Sequence, residues 1–359
     1  MAEDLRILYV VPSISETSSP YNEQALPIAL SGTADVSICT FYMAEIAVPK
    51  SIRLYDGNNT VRGFLKQLSK AKQESEKLDV IHTHSPQVAV LLLLARLWFF
   101  WRDITLVHTV HSSYANYKLR NRLFLVLVFL MFDEVVMVSY ASLDSFPRWF
   151  RSLAVRRLSV IPNGIDLSRI DAAVESKIVT KSERFRVIVV GRLIPIKQPI
   201  QILLSFQALN SQTAELVFVG DGEYKSILEE TIRANDLSNR VQLRGVIPRD
   251  QVYNEMRAAH VFVSFSTVEG LPIAVLEAMA TRCQIILSDI PPHREIAKDT
   301  SIPLISPNDT RGLTSTIQHI MYRTVEEQQL AGSMHRQIVE ERYGLEHMVK
   351  AYLKLYERR

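Results

Sequence analysis

Short runs of β-branched and apolar residues alternate along this chain with longer amphipathic stretches. Apolar runs of four to eight residues are typical of buried strands, whereas apolar positions three or four residues apart are typical of helices. The alternation predicts parallel sheets connected by crossover helices. In the first half the pattern predicts strands at 6–11, 36–40, 80–83, 105–110 and 135–139, and helices at 61–76 and 117–131.

The pattern restarts in the second half, which predicts two separate α/β units. The join lies near 161–166, a segment rich in turn-forming residues. We predict a first domain at 1–162 and a second at 163–335. Because open α/β sheets bind ligands beyond the carboxyl ends of their strands, two such sheets facing each other would enclose a cleft. The second half has predicted strands at 185–190, 216–219, 241–243, 261–264 and 284–287, and predicted helices at 198–209, 223–234, 250–258 and 272–281.

Composition narrows the class of protein. The 359 residues are 47% hydrophobic and 22% charged, which is typical of a globular protein. A net charge of +3, without a zinc-finger, RNA-binding or basic-zipper pattern, excludes a nucleic-acid-binding protein of the usual kinds. Two distant cysteines, Cys39 and Cys283, exclude a disulfide framework. With no signal-peptide pattern at the first residues, we predict a cytoplasmic protein.

Two apolar stretches in the first half resemble membrane segments, but each is interrupted by charge. Arg96 divides 88–101, and Asp133 ends 123–132, so neither reaches the roughly 18–20 apolar residues that a spanning helix needs. One interpretation is a pair of helices buried against the sheet. The other is peripheral contact of the first domain with anionic lipid at the inner membrane face, which the Trp98–Trp101 cluster between Arg96 and Arg102 favours.

The most informative segment runs from 264 to 280, where a strand end, a loop and a helix start follow one another. Pro272 suits the first helical position, and free amides at a helix start bind phosphate. Gly270 allows a diphosphate to approach the backbone. Glu277 lies among apolar residues and needs a partner, for which a ribose diol is suited, and Glu269 could accept hydrogen bonds from sugar hydroxyls. The alternative is that Glu269 is an ordinary loop acid and that Glu277 is a solvated helix residue.

A second segment places two cations just after a predicted strand. Gly191, Arg192 and Leu193 follow the strand, and Lys197 comes four residues later. Such cations can stabilise the charge that develops on a departing nucleoside diphosphate. The alternative is a pair of surface cations. No Asp-x-Asp sequence occurs, so we predict catalysis that needs no divalent metal and no cofactor.

Together these motifs resemble family 4 of the retaining glycosyltransferases, whose architecture is called GT-B. The resemblance covers roughly 155–300 and includes the two segments above, the 161–166 hinge, Gly220-Asp221-Gly222 and Gly245-Val246-Ile247. It implies two Rossmann-like α/β domains facing across a cleft. It also implies that residues 336–359 form a C-terminal helix that packs back on the first domain.

By the same resemblance, Arg192, Lys197 and the amides of Gly270 and Leu271 would bind the donor diphosphate. Glu277 would bind ribose and Glu269 the donor sugar. His111, after the strand at 105–110, matches the family histidine beside the donor sugar, although a histidine bonded to backbone is the alternative. The donor site that the resemblance implies comprises Gly191, Arg192, Lys197, Ile247 (through its backbone, to the base), Glu269, Gly270, Leu271 and Glu277, with His111, Glu269, Arg192 and Lys197 as the catalytic group.

Two features of the first half modify this expectation. The His82-Thr83-His84 sequence suggests a metal site, but no third ligand stands at motif spacing, so we predict none. The family usually carries a Gly-Gly loop after the first strand, where this chain has Ser18-Ser19-Pro20-Tyr21. Contacts between the first domain and the donor must therefore differ, or this loop serves the acceptor.

The function implied is transfer of a hexosyl unit from a UDP- or GDP-sugar to a glycan or lipid-linked acceptor in polysaccharide or glycolipid synthesis. The alternative is a catalytically silent sugar-nucleotide-binding scaffold in a polysaccharide assembly complex. A nicotinamide-dependent enzyme is rejected because no Gly-x-Gly-x-x-Gly follows the first strand. A glycosidase is rejected because Glu269 and Glu277 would not both face one glycosidic bond.

Overall fold

A computed structural model describes residues 5–15, 18, 20–75, 77–99, 103–176 and 181–358, without the side chains of 97–99. The chain divides into two compact units. The first unit contains Met1–Gly164 together with Leu345–Arg359, and the second contains Ile165–Gly344.

The first unit is built on a seven-stranded parallel sheet with the order β3-β2-β1-β4-β5-β6-β7. The strand order reverses beside β1, which is the switch point where open α/β sheets bind ligands at their carboxyl ends. The strands are β1 (Leu5–Val11), β2 (Ala34–Thr40), β3 (Arg53–Asp56), β4 (Val80–Thr83), β5 (Thr105–Val110), β6 (Glu134–Met137) and β7 (Leu158–Val160).

Both faces of this sheet are covered by helices, because alternate strand residues point to opposite faces. Leu8 and Val10 of β1 belong to one core, and Ile7 and Tyr9 belong to the other. Helices α2, α3, α4 and α6 contribute to the first core, and α1 and the C-terminal helix α15 contribute to the second. The helices are α1 (Leu26–Leu30), α2 (Val61–Glu74), α3 (Pro86–Phe99), α4 (Leu119–Met131), α5 (Tyr140–Ser145), α6 (Arg148–Ser152) and α15 (Leu345–Tyr356).

The second unit is a six-stranded parallel sheet with the order β10-β9-β8-β11-β12-β13. Its strands are β8 (Phe185–Val190), β9 (Ala214–Val219), β10 (Val241–Leu243), β11 (Val261–Ser264), β12 (Gln284–Ser288) and β13 (Leu304–Ile305). Its helices are α7 (Leu167–Glu175), α8 (Pro199–Ala208), α9 (Lys225–Ala234), α10 (Arg249–Ala258), α11 (Ile273–Ala280), α12 (Pro291–Ala297), α13 (Thr310–Met321) and α14 (Val325–Tyr343).

The predicted class of two parallel α/β units is confirmed, and the differences concern short elements and one boundary. Strands β3, β7 and β13 have four residues or fewer and carry no pattern that distinguishes them from loops. The predicted C-terminal segment 336–359 is divided. Because α14 is one continuous helix packed against α11, residues 336–344 belong to the second unit, and only α15 packs on the first.

Neither apolar stretch spans a membrane in the part of the chain that the structure describes, where no helix is both long and apolar enough. Helices α3 and α4 pack against each other. Leu125, Val128 and Phe129 of α4 are fully buried, in agreement with the buried-helix interpretation for that face. The Trp98–Trp101 cluster and Arg102 lie outside the described side chains.

Candidate active site

The two predicted donor-binding segments meet at the carboxyl edge of the second sheet. A small cavity of about 90 Å³ lies between the end of β8, the end of β11 and the start of α11. Both segments contribute to its lining, which includes Gly191, Arg192, Lys197, Ser264, Ser266 and Pro272. The sequence separation between them is more than 60 residues, so the parallel sheet order is what brings them together.

Glycines fix the path of the loop that carries Arg192. Gly220 has a φ of +136°, and a Cβ there would lie 2.1 Å from the carbonyl oxygen of Gly191. A Cβ on Gly222 would lie 2.5 Å from the carbonyl oxygen of Leu193. Only glycine permits such close packing, so the loops after β8 and β9 stack directly on each other.

Lys197 and Glu269 form an ion pair beside this cavity, with 2.5 Å between Nζ and Oε1. The side chains are 26% and 11% exposed. The amide of Thr267 donates to the carbonyl oxygen of Ile196, which joins the two loops that carry the pair. Arg192 is exposed and forms no ion pair with any described residue, so the site keeps one cation without a carboxylate partner.

The start of α11 adds partial positive charge to the same place. The N-cap residue is Pro272, and no described side chain caps the first turn. Leu271 is buried just before it, and Ile273 and Ala274 line the cavity. An uncapped helix start presents unsatisfied amides and the positive end of the helix dipole, which together attract an anion.

Glu277 is buried inside α11 and is held by α10. Its Oε1 accepts hydrogen bonds from Arg249 Nε at 3.0 Å, Arg249 Nη2 at 2.7 Å and the Tyr253 hydroxyl at 3.1 Å. Among the described residues, no donor is bonded to Oε2. Burial is the largest cause that raises the pKa of Tyr253, and the Glu277 charge adds to it, so Tyr253 stays a neutral donor. Neither Arg249 nor Tyr253 was anticipated from the sequence.

Ile247 lies in the loop between β10 and α10, two residues before Arg249. Gly245 in this loop has a φ of +66° and accepts a bond at its carbonyl oxygen from the amide of Gly220. Within 181–358, no hydrogen bond is made by the backbone of Ile247. The loop thus connects Gly245, which is bonded to Gly220, with Arg249, which holds Glu277.

A buried histidine that the sequence did not reveal supports the floor of the site. His293, near the start of α12, has Nδ1 2.9 Å from the Ser288 carbonyl oxygen and Nε2 3.3 Å from the Ser264 hydroxyl. Burial lowers its pKa to about 4, against an opposing effect of Glu269. It is therefore a neutral side chain, which the carbonyl of Ser288 orients. Its only sequence signal is its position just after Pro291-Pro292.

His111 belongs to the first unit and follows the carboxyl end of β5. Its Nε2 lies 2.9 Å from Nδ1 of His84, which follows β4. Its partner is therefore another histidine and not the backbone bond considered as the alternative. Burial lowers the pKa of His111 to about 4 and holds that of His84 well below its usual range. Both rings are neutral at pH 7, so one donates to the other.

His82 has a different environment from that of His84. Its Nδ1 lies 2.6 Å from the Tyr356 hydroxyl, and its Nε2 lies 2.8 Å from the Thr109 hydroxyl. The Tyr356 hydroxyl also bonds to that of Tyr9, and the Thr109 hydroxyl to that of Tyr352. This network fastens α15 to the sheet, so His82 has a structural role. Among the described residues, no three His, Cys, Asp or Glu side chains are placed to share a metal ion.

The loop that replaces the family Gly-Gly sequence closes on itself. Pro20–Ala25 forms a short π-helix, in which Tyr21 is buried. The Asn22 side-chain amide donates to the carbonyl oxygen of Ser18 at 3.0 Å and to that of Ser15 at 3.3 Å. Ser19 lies outside the described residues. In this loop, a buried tyrosine and a helical turn stand where the resemblance leads to the expectation of two glycines.

Comparisons with known proteins decide the family. A model described as Glycosyltransferase Family 4 matches residues 40–169, and a model described as Glycosyl transferases group 1 matches residues 172–331. The chain belongs to glycosyltransferase family 4. It is therefore a nucleotide-sugar-dependent glycosyltransferase, and its two Rossmann-like units are those of the GT-B fold.

Relatives with named activities include two bacterial enzymes. An Escherichia coli UDP-Gal:alpha-D-GlcNAc-diphosphoundecaprenol alpha-1,3-galactosyltransferase is 29% identical over 71% of this chain and 67% of its own length. A Streptococcus pneumoniae alpha-monoglucosyldiacylglycerol synthase is 25% identical over 81% of this chain and 70% of its own length. The chain matches 46% and 63% of two Bacillus subtilis relatives.

Solved structures share the fold at lower identity. Anabaena Alr3699/HepE in complex with UDP has a TM-score of 0.76 and 18% identity, covering 99% of this chain and 100% of the other. Sucrose-phosphate synthase from Thermosynechococcus elongatus has a TM-score of 0.81 and 18% identity, with coverage of 99% and 98%.

Proposed function

We propose that this protein is a metal-independent, retaining glycosyltransferase that moves a hexosyl unit from a UDP- or GDP-sugar to a glycan or lipid-linked acceptor. Its product would enter a surface polysaccharide or a glycolipid. The observation that carries the proposal is the cavity where Arg192, Lys197 and the uncapped start of α11 surround one space.

The chemical step separates the anomeric carbon from a phosphate oxygen and joins it to the acceptor oxygen. The diphosphate gains negative charge as it leaves, and this charge has to be stabilised. Arg192 would bind phosphate oxygens through its planar guanidinium group, while Lys197 and the amides of Gly270 and Leu271 would supply further positive charge. These groups would replace a divalent ion, which is the reason for proposing metal independence.

Donor recognition would use the groups on α10 and α11. Glu277 is fixed through Oε1, so Oε2 is presented in one orientation and can accept hydrogen bonds from a ribose diol. The unpaired backbone of Ile247 would contact the base. Glu269, held by Lys197, would accept from hydroxyls of the donor sugar.

The anomeric configuration would be retained because the acceptor hydroxyl attacks the anomeric carbon on the same face from which the diphosphate leaves. The acceptor hydroxyl proton would pass to a phosphate oxygen of the leaving group, so that no protein nucleophile is needed. His111 is neutral in this structure and would donate a hydrogen bond to the donor sugar while carrying no charge of its own. Its pairing with His84 fixes the ring for this purpose.

The exposed face of α4 supports peripheral contact with a membrane. Leu119, Leu123, Leu127 and Leu130 follow one side of the helix and are 72%, 60%, 40% and 49% exposed. A soluble helix normally presents polar residues on its outer face. Basic residues Lys118, Arg120 and Arg122 stand at its start, an arrangement typical of helices that lie on anionic lipid. This surface would allow a cytoplasmic enzyme to reach a lipid-linked acceptor at the inner face of the membrane.

The donor assignment is tested by a thermal-shift screen of UDP- and GDP-sugars, because a ligand that binds the folded state raises the melting temperature. We expect one nucleotide class to stabilise the protein. Slow release of nucleoside diphosphate from that donor, without acceptor, then separates an enzyme from the silent scaffold. Binding without any release would favour the scaffold.

Membrane contact is tested by flotation with vesicles that contain or lack anionic lipid. We expect binding to the anionic vesicles and loss of it in L123E/L127E. The matched control, L204E/L330E, places the same charges on exposed leucines of the second unit. Equal flotation of both variants, or indifference to lipid charge, would remove this part of the proposal.

A further inference from the structure

A second cavity lies at the opposite edge of the second sheet and has a volume of about 680 Å³. Lys181 precedes β8, His260 directly precedes β11, and Arg282 comes two residues before β12. These are the amino ends of the strands, whereas the candidate active site lies at their carboxyl ends. The four residues of β11 alone separate the two edges by about 13 Å.

The charged side chains among the described lining residues of this cavity are positive. Lys181, Arg257 and Arg282 line it, and no carboxylate is among its described lining residues. The Lys181 ammonium donates to the carbonyl oxygen of Ala259. Neither Arg257 nor Arg282 makes an ion pair or a hydrogen bond through its side chain in the described part of the chain. By contrast, Arg186, Arg249, Arg294 and Arg336 of the same unit are all paired with carboxylates.

Nearby ionisable groups respond to this positive potential. Burial lowers the pKa of His260 to about 4, the charges of Lys181 and Arg186 lower it further, and the charge of Glu215 acts in the opposite direction. Burial also lowers the pKa of Lys181, against an opposing effect of Cys283, and the charge of Arg257 acts in the same direction as burial. Like charges held close together repel one another, and an anion bound in the cavity would relieve that repulsion.

Neutral donors complete the wall that α14 forms. Gln328, Gln329 and Ser333 line the cavity with amide and hydroxyl groups. Gln284 holds this wall in place, because its side-chain amide donates to the Gln328 carbonyl oxygen and its side-chain oxygen accepts from Arg323. The volume falls in the range of about 300–1,000 Å³ that is usual for small-molecule sites.

We propose that this cavity binds a small phosphate-bearing ligand, with Arg257 and Arg282 as its principal contacts. Guanidinium groups bind phosphate oxygens in a bidentate manner, and the amides opposite them can donate to the remaining oxygens. Because this cavity and the candidate active site lie at opposite edges of the sheet and share no described lining residue, the ligand does not compete with a nucleotide sugar. An anionic lipid headgroup offers the same chemistry as a free phosphorylated compound, so the test has an arm for each.

The free ligand is tested by calorimetric titration of pyrophosphate into R192A/K197A, a background that lacks the two cations of the candidate active site. Binding is expected there, and adding R257Q/R282Q should weaken it roughly tenfold or more, in line with the loss of charge-assisted hydrogen bonds. Adding R233Q/R311Q is the matched control. It removes two exposed arginines of the same unit outside the cavity and should leave the affinity unchanged.

The lipid arm uses flotation of the same variants with vesicles containing phosphatidylinositol phosphate. Flotation that depends on Arg257 and Arg282, without pyrophosphate binding, would assign the phosphate to a headgroup. The proposal would be overturned if pyrophosphate affinity and flotation were both the same in R257Q/R282Q and in the control. It would also be overturned if pyrophosphate did not bind and flotation did not depend on Arg257 and Arg282. Since both arginine side chains lack partners in the described protein, the variant should melt at the temperature of its background.

Discussion

The two units have the same parallel architecture but different polar chemistry at the carboxyl ends of their strands. In the first unit the histidines there are neutral: His84 bonds to His111, and His82 joins a network of hydroxyls. In the second unit they are ionic, with Lys197 paired to Glu269 and Arg249 paired to Glu277. Neutral groups can exchange hydrogen bonds with sugar hydroxyls, whereas cations bind a diphosphate, so the two units offer different binding chemistry at equivalent edges of their sheets.

Removing the unpaired cation of the ionic site should have the largest effect. We expect Arg192→Ala to reduce turnover by roughly 10²–10³-fold, because it stabilises charge that develops only as the diphosphate leaves. Initial rates at saturating donor would measure this. Arg233→Ala, which removes an exposed arginine at the end of α9, is the control and should retain full turnover. Turnover within twofold of the wild type for both would contradict the assigned role.

A change at Glu277 should act on donor binding and not on turnover. Glu277→Gln keeps the shape of the side chain but removes its charge, so we expect the Kd of the nucleoside diphosphate to rise about ten- to hundredfold. Calorimetric titration would measure the Kd. Tyr253→Phe affects only the bond to Oε1 and should have a weaker effect, and the exposed Glu175→Gln should have none. The assignment fails if Glu277→Gln binds as tightly as Glu175→Gln.

The neutral histidines of the first unit make its stability depend on pH. Burial lowers the pKa of His108 to about 3, well below the value of about 6.5 in the unfolded chain. The unfolded state therefore binds more protons between these values, and stability present above pH 6.5 is lost as the pH falls. For one such histidine, the free energy of unfolding falls by about 2 kcal/mol between pH 7 and pH 5.

Urea unfolding followed by tryptophan fluorescence measures this loss, because Trp98, Trp101 and Trp149 all belong to the first unit. His108→Asn should flatten the pH dependence by that amount, whereas the exposed His347→Asn should leave it unchanged. An identical slope in the two variants would show that His108 is not held neutral.

The anchoring of α15 should give the smallest effect. Tyr356→Phe removes a hydroxyl that bonds to His82 and Tyr9, so we expect the first unit to lose about 1 kcal/mol of unfolding free energy. The same fluorescence measurement applies, with the exposed Tyr42→Phe as control. No difference between the two variants would mean that the network does not hold the helix.

Much of this arrangement could be predicted from local patterns. The alternation of strands and helices predicted both sheets. Gly191-Arg192-Leu193 and Lys197 indicated groups that the fold brings to one cavity, and Glu269 forms an ion pair with Lys197 beside it. Sequence reasoning missed contacts between residues far apart in the chain. Arg249 and Tyr253 meet Glu277 only because α10 packs beside α11, and no local pattern specifies that pairing.

The boundary near the C-terminus was missed for a similar reason. Only tertiary packing decides which unit a helix joins, and α14 continues past residue 336 without a break before it ends at Tyr343. Its contacts with α11 keep it in the second unit. The exposed leucines of α4 were equally hidden, because an apolar helix sequence does not reveal which of its faces is covered.

The most direct measurement is a titration of UDP and of GDP in the presence of EDTA, repeated after addition of excess Mg²⁺ or Mn²⁺. If Arg192, Lys197 and the start of α11 hold the diphosphate, one nucleotide will bind with a Kd that metal changes by less than about twofold, a free-energy difference of about 0.4 kcal/mol. Binding that disappears with EDTA and returns only with a divalent ion would contradict the account.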